Sequence, residues 1–165
     1  MSGSRKLLLL GGMALAACGM LYGLHFALFR EHQTLDRLGG SLAEAFAYAA
    51  ADHLPQSNAA LDAYASTKYN YVRQVDVHSH WIGLAMLMSV LGAAFERVHF
   101  RETARFKIAL AMLIGSVAFP LGVILQTVEA ARGLGSGLAI AGSVLVTAAL
   151  ALTAWGFGRA RNDGW

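Results

Sequence analysis

The residues of this sequence that are able to do chemistry are few, and they stand at matching ends of its apolar segments. His25 lies near the end of the first segment, and His78 and His80 open the second. Gln126 and Glu129 close the third. An ionisable group inside a bilayer is costly, so each one is a functional hypothesis by default. Neutral imidazole binds copper, iron and zinc, and two imidazoles can hold a haem iron. The pattern therefore predicts a site for haem b or for a copper, iron or zinc ion, with these three histidines as ligands.

The spacing of His78 and His80 leaves two arrangements open. In a continuous helix, residues i and i+2 lie about 200° apart, so the two rings point to different sides and His78 faces inward. In an extended backbone, alternate side chains share a side, and both rings can bind one ion. Asp76 is placed to accept the second N–H of an imidazole, and Gln126 and Glu129 are expected beside the ligands. A simpler alternative is that the histidines are anchors at the membrane–water boundary, where amphipathic rings are common.

The elements that must position these side chains are apolar helices. Of the 165 residues, 56% are hydrophobic and only 14% are charged, against about 25% charged in an ordinary soluble domain. This composition excludes a disordered chain. A net charge of +3 without a long basic run argues against a nucleic-acid partner. A single cysteine, Cys18, excludes a disulfide framework and a thiolate zinc cluster. The chain is therefore predicted to be a membrane protein.

Four segments are long and apolar enough to cross a bilayer, which takes about 20 residues. They are 7–29, 77–95, 108–125 and 134–157. Each carries a stripe of small residues, which allows helices to pack closely in lipid. We therefore predict an all-α integral membrane four-helix bundle that forms a single domain over residues 1–165. Its expected partners are the lipid bilayer and other membrane subunits or a second copy of the chain.

The polar segment 30–76, between the first two spans, is predicted to be a helical loop and not a flexible linker. Its apolar residues recur at helical spacing, and Pro55 interrupts the pattern, so a second short helix is expected from about Asn58. Such a hairpin either caps the bundle or lies on the membrane surface, or it forms a docking surface or a lid. Its apolar positions are Leu35, Leu38, Leu42, Phe46 and Ala49, then Leu61, Ala65, Tyr69 and Val72.

Lysine and arginine counts predict the orientation of the spans. Eight of these residues, Arg161 among them, fall in the termini and in the short connection between the second and third spans. The other two connections carry five over much more chain. Both termini are therefore expected in the cytoplasm, with the protein in a bacterial inner membrane and 30–76 outside. The chain stays apolar for eleven residues after Cys18, which favours an uncleaved span over a signal peptide or a lipoprotein signal.

The run 77–87, VHSHWIGLAML, resembles a recurring pattern. It is similar to the His-x-His that opens an apolar, glycine-containing helix in small membrane proteins related to haem–copper oxidase subunit I and in NnrS-type proteins. The resemblance implies that His78 or His80 is a haem or metal ligand. It covers about 20 of the 165 residues. The third and fourth spans carry no histidine, unlike the later spans of the larger members, so a complete haem–copper centre is not expected.

Three classes of function remain open at this point. The leading prediction is a haem- or metal-binding inner-membrane protein, acting as a small respiratory or accessory subunit that ligates its cofactor near the outer membrane face. The isolated chain is not expected to be an enzyme. The alternative is a cofactor-free structural or assembly subunit of a larger membrane complex. The third class is a small transporter or a sensor of outer pH, since histidine titrates near neutral pH.

Overall fold

The chain reverses direction three times and places four long helical segments side by side. The fold is taken from a computed structural model that describes residues 1–159, so Arg161 lies outside the described residues. Five α-helices cover most of this range, and short π- and 3-10-helical turns join them. The helices are α1 (Gly3–Phe26), α2 (His32–Ala50), α3 (Leu54–Ala94), α4 (Glu102–Leu125) and α5 (Arg132–Arg159); the turns are Ala27–Glu31, Phe95–Arg97 and Glu129–Ala131.

The predicted all-helical class is confirmed, since residues 1–159 form helices and turns and contain no strand. Four helical segments are long and apolar enough to span a membrane, as the sequence predicts. They are Gly3–Ala50, Leu54–Arg97, Glu102–Leu125 and Glu129–Arg159. The first two are much longer than the roughly 30 Å of a hydrocarbon core requires. They therefore extend well beyond the apolar spans 7–29 and 77–95.

The segment 30–76 is helical with a break just before Pro55, close to the predicted one, but its two helical stretches are continuous with the spans and not separate short helices. The first span continues through the π-helical turn Ala27–Glu31 into α2, and α3 runs unbroken from Leu54 to Ala94. Pro55 does not interrupt a helix. It stands in the first turn of α3, where a missing N–H costs nothing. We call α2 and the antiparallel first half of α3, residues 54–76, the hairpin. At about 1.5 Å per residue, α2 alone is roughly 28 Å long.

The tip of the hairpin is a three-residue turn. Asp52 adopts a left-handed conformation with φ of 60°, which aspartate tolerates better than most residues. The N–H of His53 donates to the carbonyl of Tyr48 at 2.9 Å. The hydroxyl of Ser57, which is buried, then donates to the carbonyl of Ala45 at 2.9 Å and ties α3 back to α2. The turn is thus closed by backbone and side-chain hydrogen bonds on both sides.

The core of the bundle lies where α1 packs on α3 and α4 packs on α5. Its large buried side chains include Leu8, Val77, Met88 and Met112. Small residues bring the backbones together, as predicted. A Cβ added to Gly122 of α4 would lie 2.7 Å from the carbonyl oxygen of Gly135 on α5. No side chain larger than hydrogen fits at that contact unless the two helices move apart.

At the end of the bundle opposite the hairpin, a polar cluster joins the start of α1 to the start of α4. The N–H and the hydroxyl of Ser4, which is fully buried, donate to the Glu102 carboxylate at 2.9 and 3.1 Å. Arg105 pairs with the same carboxylate at 2.9 Å. Glu102 precedes the apolar span 108–125. The hydrogen bond from the Ser4 N–H, together with Arg105, holds the pKa of Glu102 below its usual value.

Candidate functional site

His78 lies half-buried in the contact between α1 and α3. Its Nδ1 is 2.8 Å from the carbonyl oxygen of Gly19. A carbonyl only accepts hydrogen bonds, so Nδ1 carries the proton and the lone pair of the neutral ring is on Nε2. Gly23, one turn further along α1, leaves the space that the imidazole occupies, because an added Cβ would overlap the ring atoms of His78. The sequence prediction that His78 is the inward residue agrees with this position.

His80 faces a different neighbour. Its Nδ1 donates to the backbone carbonyl of Asp76, one turn earlier on the same helix, at 2.6 Å. The Asp76 carboxylate, which the sequence suggested as the acceptor, is not the partner in this bond. The ring meets Phe119 of α4 edge-on, with ring centroids 4.7 Å apart and planes at 79°. In both rings Nδ1 therefore donates to a backbone carbonyl, but the two rings lie in different interfaces.

The backbone decides between the two arrangements left open for His78 and His80. Helix α3 is continuous through residues 76–80, so the arrangement that needed an extended backbone is wrong. At helical spacing the two rings point to different sides, and their contacts agree: His78 meets α1 and His80 meets α4. One ion cannot be held by these two side chains of one helix.

His25 is exposed at the end of α1. Its ring lies 5.4 Å from that of Phe29. It borders a cleft of about 200 Å³ together with Tyr22, Gln74 and Thr127. His25 thus stands at the same depth as the third helix's end, as the sequence predicts, but beside α4 and not beside the bond that holds His78.

Neither Gln126 nor Glu129 lines this cleft. Gln126 is half-buried at the end of α4 and borders a cleft of about 380 Å³ with Arg73 and Arg132. Glu129 is exposed in the turn Glu129–Ala131. Within residues 1–159, no three His, Cys, Asp or Glu side chains are grouped so that they could hold a metal ion. The predicted histidine ligands are therefore not gathered into a three-ligand metal site within these residues.

Sequence reasoning missed a set of polar residues at the base of the hairpin. Arg30, Gln33 and Arg37 face Asn70 and Gln74 across a cleft of about 190 Å³. The signal was present, because these positions repeat at intervals of three and four residues on both helices, which places them on one face of each. They went unnoticed because the apolar stripe of the same segment has the same period.

Comparison of the chain with protein-family models, with curated proteins and with solved structures finds no match. The resemblance of the run 77–87 to haem-binding membrane proteins therefore stays a prediction. What the chain does has to be argued from its own side chains.

Proposed function

We propose that this chain is a structural or assembly subunit of a bacterial inner-membrane complex, and that the hairpin is the arm by which it docks. The observation that carries this proposal is the exposure of large apolar side chains on the hairpin, beyond the apolar spans. Phe46 is 69% exposed, Leu35 46% and Leu61 42%. Large apolar side chains exposed beyond the apolar spans are typical of a protein–protein contact.

The contact between the two helices of the hairpin is too small to bury these side chains. Its buried residues beyond the turn are Ala45, Ser57 and Ala60, which are all small. Two helices alone leave most of each apolar stripe uncovered, because each helix has only one neighbour. A further helical surface, from another membrane subunit or from a second copy, covers the stripes. Positive-inside counting supports an extracytoplasmic position for this contact.

The test uses a photo-crosslinking amino acid placed in the full-length chain in native membranes. At Phe46 we expect a covalent adduct whose mass identifies either a partner or a second copy. At Glu44, which is exposed on the same helix but two residues away and so on another side, we expect little or none. Absence of an adduct at Phe46 and at Leu61, or equal yields at Phe46 and Glu44, refutes the docking function.

A second candidate, ligation of haem b or of a copper, iron or zinc ion, is favoured by the hydrogen bond of His78. Histidines that bind metals typically donate their other ring N–H to a carbonyl or carboxylate, which fixes the tautomer and raises the basicity of the ligating nitrogen. His78 has this arrangement through Gly19. In this function the subunit is a small respiratory or accessory protein, and the second ligand beside His78 comes from His25 or from a partner subunit.

An absorption spectrum and elemental analysis of protein made with haem and metals supplied test this candidate. A Soret band or a stoichiometric metal that disappears in the His78→Ala variant supports ligation by His78. His99→Ala is the matched control, because the Nδ1 of His99 also bonds a carbonyl, that of Arg97, at the opposite end of the bundle. A spectrum without haem together with less than one metal ion per four chains, as a rough threshold, rules the cofactor out.

A further inference from the structure

The cleft at the base of the hairpin has the composition of an anion site. Its eight lining residues are all polar and none is a carboxylate. Arg30, Gln33 and Arg37 line one wall and Asn70 and Gln74 line the other. The volume of about 190 Å³ is large beside the roughly 10–15 Å³ that one water needs. A tetrahedral anion and several waters fit in it.

Arg30 and Arg37 form no ion pair within the described residues, and the nearest carboxylate identified at the border of the cleft is that of Glu31, bonded to the lining residue Tyr71. The ion pairs within residues 1–159 are made by Arg5, His32 and Arg105, so neither Arg30 nor Arg37 is among them. Glu31, next to Arg30, accepts a hydrogen bond from the Tyr71 hydroxyl at 3.2 Å. Guanidinium presents a planar fork of donors that matches the oxygens of phosphate. Two such forks with amide donors opposite them suit a phosphate group better than a simple halide.

A second, less polar cleft lies directly against the first. Arg30 and Gln74 border both cavities. The second cleft, of about 200 Å³, continues towards the spans between α1, α3 and α4, where Tyr22, Phe26 and Ile124 line it. Arg30 is the first residue after the apolar span 7–29, which is the depth at which lipid headgroups meet the hydrocarbon region. The two clefts share a border and form one groove, which is polar and basic at the hairpin side and mixed polar and apolar at the membrane side.

We propose that this groove binds the phosphate of an anionic amphiphile. The phosphate lies between Arg30 and Arg37, and the apolar part of the ligand lies against Tyr22, Phe26 and Ile124. The shared chemistry is that of a phosphate ester, whether it comes from a membrane phospholipid or from a soluble metabolite. The apolar side chains of Phe26 and Ile124 at the membrane side of the groove favour the phospholipid. Basic clefts between membrane helices are known sites for lipid headgroups.

The experiment titrates the full-length chain in detergent micelles with three probes and follows binding by native mass spectrometry. The probes are phosphatidylglycerol, a glucosyl diacylglycerol that carries no phosphate, and inorganic phosphate. The double variant Arg30→Gln/Arg37→Gln loses two charge-assisted contacts, so we expect its apparent Kd for phosphatidylglycerol to rise at least about tenfold. Lys68→Gln makes the same kind of charge change on an exposed site of the hairpin outside the cleft, and we expect a change within about twofold.

The outcomes separate the sources of the phosphate. Tight phosphatidylglycerol binding without competition by inorganic phosphate assigns a lipid site. Competition by inorganic phosphate at millimolar concentration assigns a soluble phosphate ester. The double variant Arg30→Lys/Arg37→Lys keeps the charge and the fold but loses the planar forks, so intermediate affinity is expected. Equal binding of the glucosyl lipid and phosphatidylglycerol, or wild-type binding by Arg30→Gln/Arg37→Gln, overturns the proposal.

Discussion

Replacing Gly122 with alanine tests whether α4 and α5 approach as closely as the fold requires. The added Cβ would lie 2.7 Å from the carbonyl oxygen of Gly135 and 2.8 Å from the Cα of Ala139, whereas ordinary contact begins at 3.4 Å. Both obstacles are backbone atoms, so no side chain can rotate away. The backbone nitrogen of Ala139 lies closer still, so the helices must separate by roughly 0.7 Å or more at this point. A gap of that size forfeits about a quarter to a half of the dispersion attraction between the atoms that face it.

The expected loss for Gly122→Ala is about 1–3 kcal/mol in the free energy of unfolding, the usual range for overpacking a tight contact. Reversible unfolding by increasing mole fraction of sodium dodecyl sulfate in mixed micelles, followed by circular dichroism, measures it. Gly137→Ala on α5 is the control, because nothing lies within 4 Å of its added Cβ. Alanine there should leave the stability unchanged or raise it by up to about 1 kcal/mol through helix propensity. If Gly122→Ala and Gly137→Ala unfold at the same mole fraction of sodium dodecyl sulfate, the close approach of α4 and α5 is wrong.

Three further changes probe the other contacts. Gly23→Ala places a Cβ where the His78 imidazole lies and should cost about 1–3 kcal/mol; adding His78→Ala should recover at least about 1 kcal/mol of that in a double-mutant cycle, and strict additivity would contradict the packing. Glu102→Gln removes a carboxylate whose pKa is lowered in the folded chain, so wild-type stability should fall as the pH drops below about 4.5 while the variant shows a smaller fall; parallel thermal unfolding curves from pH 3 to 7 would refute the role of this carboxylate. Ser57→Ala loses the buried hydrogen bond to the Ala45 carbonyl and should lower the local stability of the hairpin tip by about 1 kcal/mol. Proteolysis at the tip should then be faster; an unchanged cleavage rate would show that the tip does not depend on this bond.

The sequence was sufficient for the helical class and for the four apolar segments, because lipid-facing helices must be apolar along their whole length. It also placed His78 correctly, since the small residues that mark the inward face of α3 recur at helical spacing. It could not show that α3 is one helix of 41 residues. Pro55 carries the same signal whether it ends one helix or starts the next. Where a helix continues beyond the bilayer is decided by its packing against α2, which no local pattern encodes.

The site was less predictable than the fold for a related reason. Topology put His25, His78 and Gln126 at similar depths, but depth alone does not say which interface a ring enters. His78 bonds a carbonyl of α1 and His80 bonds a carbonyl of its own helix, and the interface that each ring enters depends on the rotation of α3 about its axis. The arginines of the polar cleft were counted only as loop charges. Their common face depends on the antiparallel packing of α2 against α3 over several turns, which the sequence pattern does not show.

The difference between the two long segments has a mechanical consequence. Helix α3 passes from the hairpin tip to the far end of the bundle without a break, so it acts as a stiff rod of about 60 Å. Its neighbour is interrupted by the π-helical turn Ala27–Glu31, a feature at which helices bend. A lateral force on the hairpin tip therefore bends the first segment at its π-helical turn, whereas α3 tilts as a whole. A tilt of about 5° about the far end of such a rod moves the tip by roughly 5 Å and moves His78, which is 16 residues from that end, by roughly 2 Å against α1.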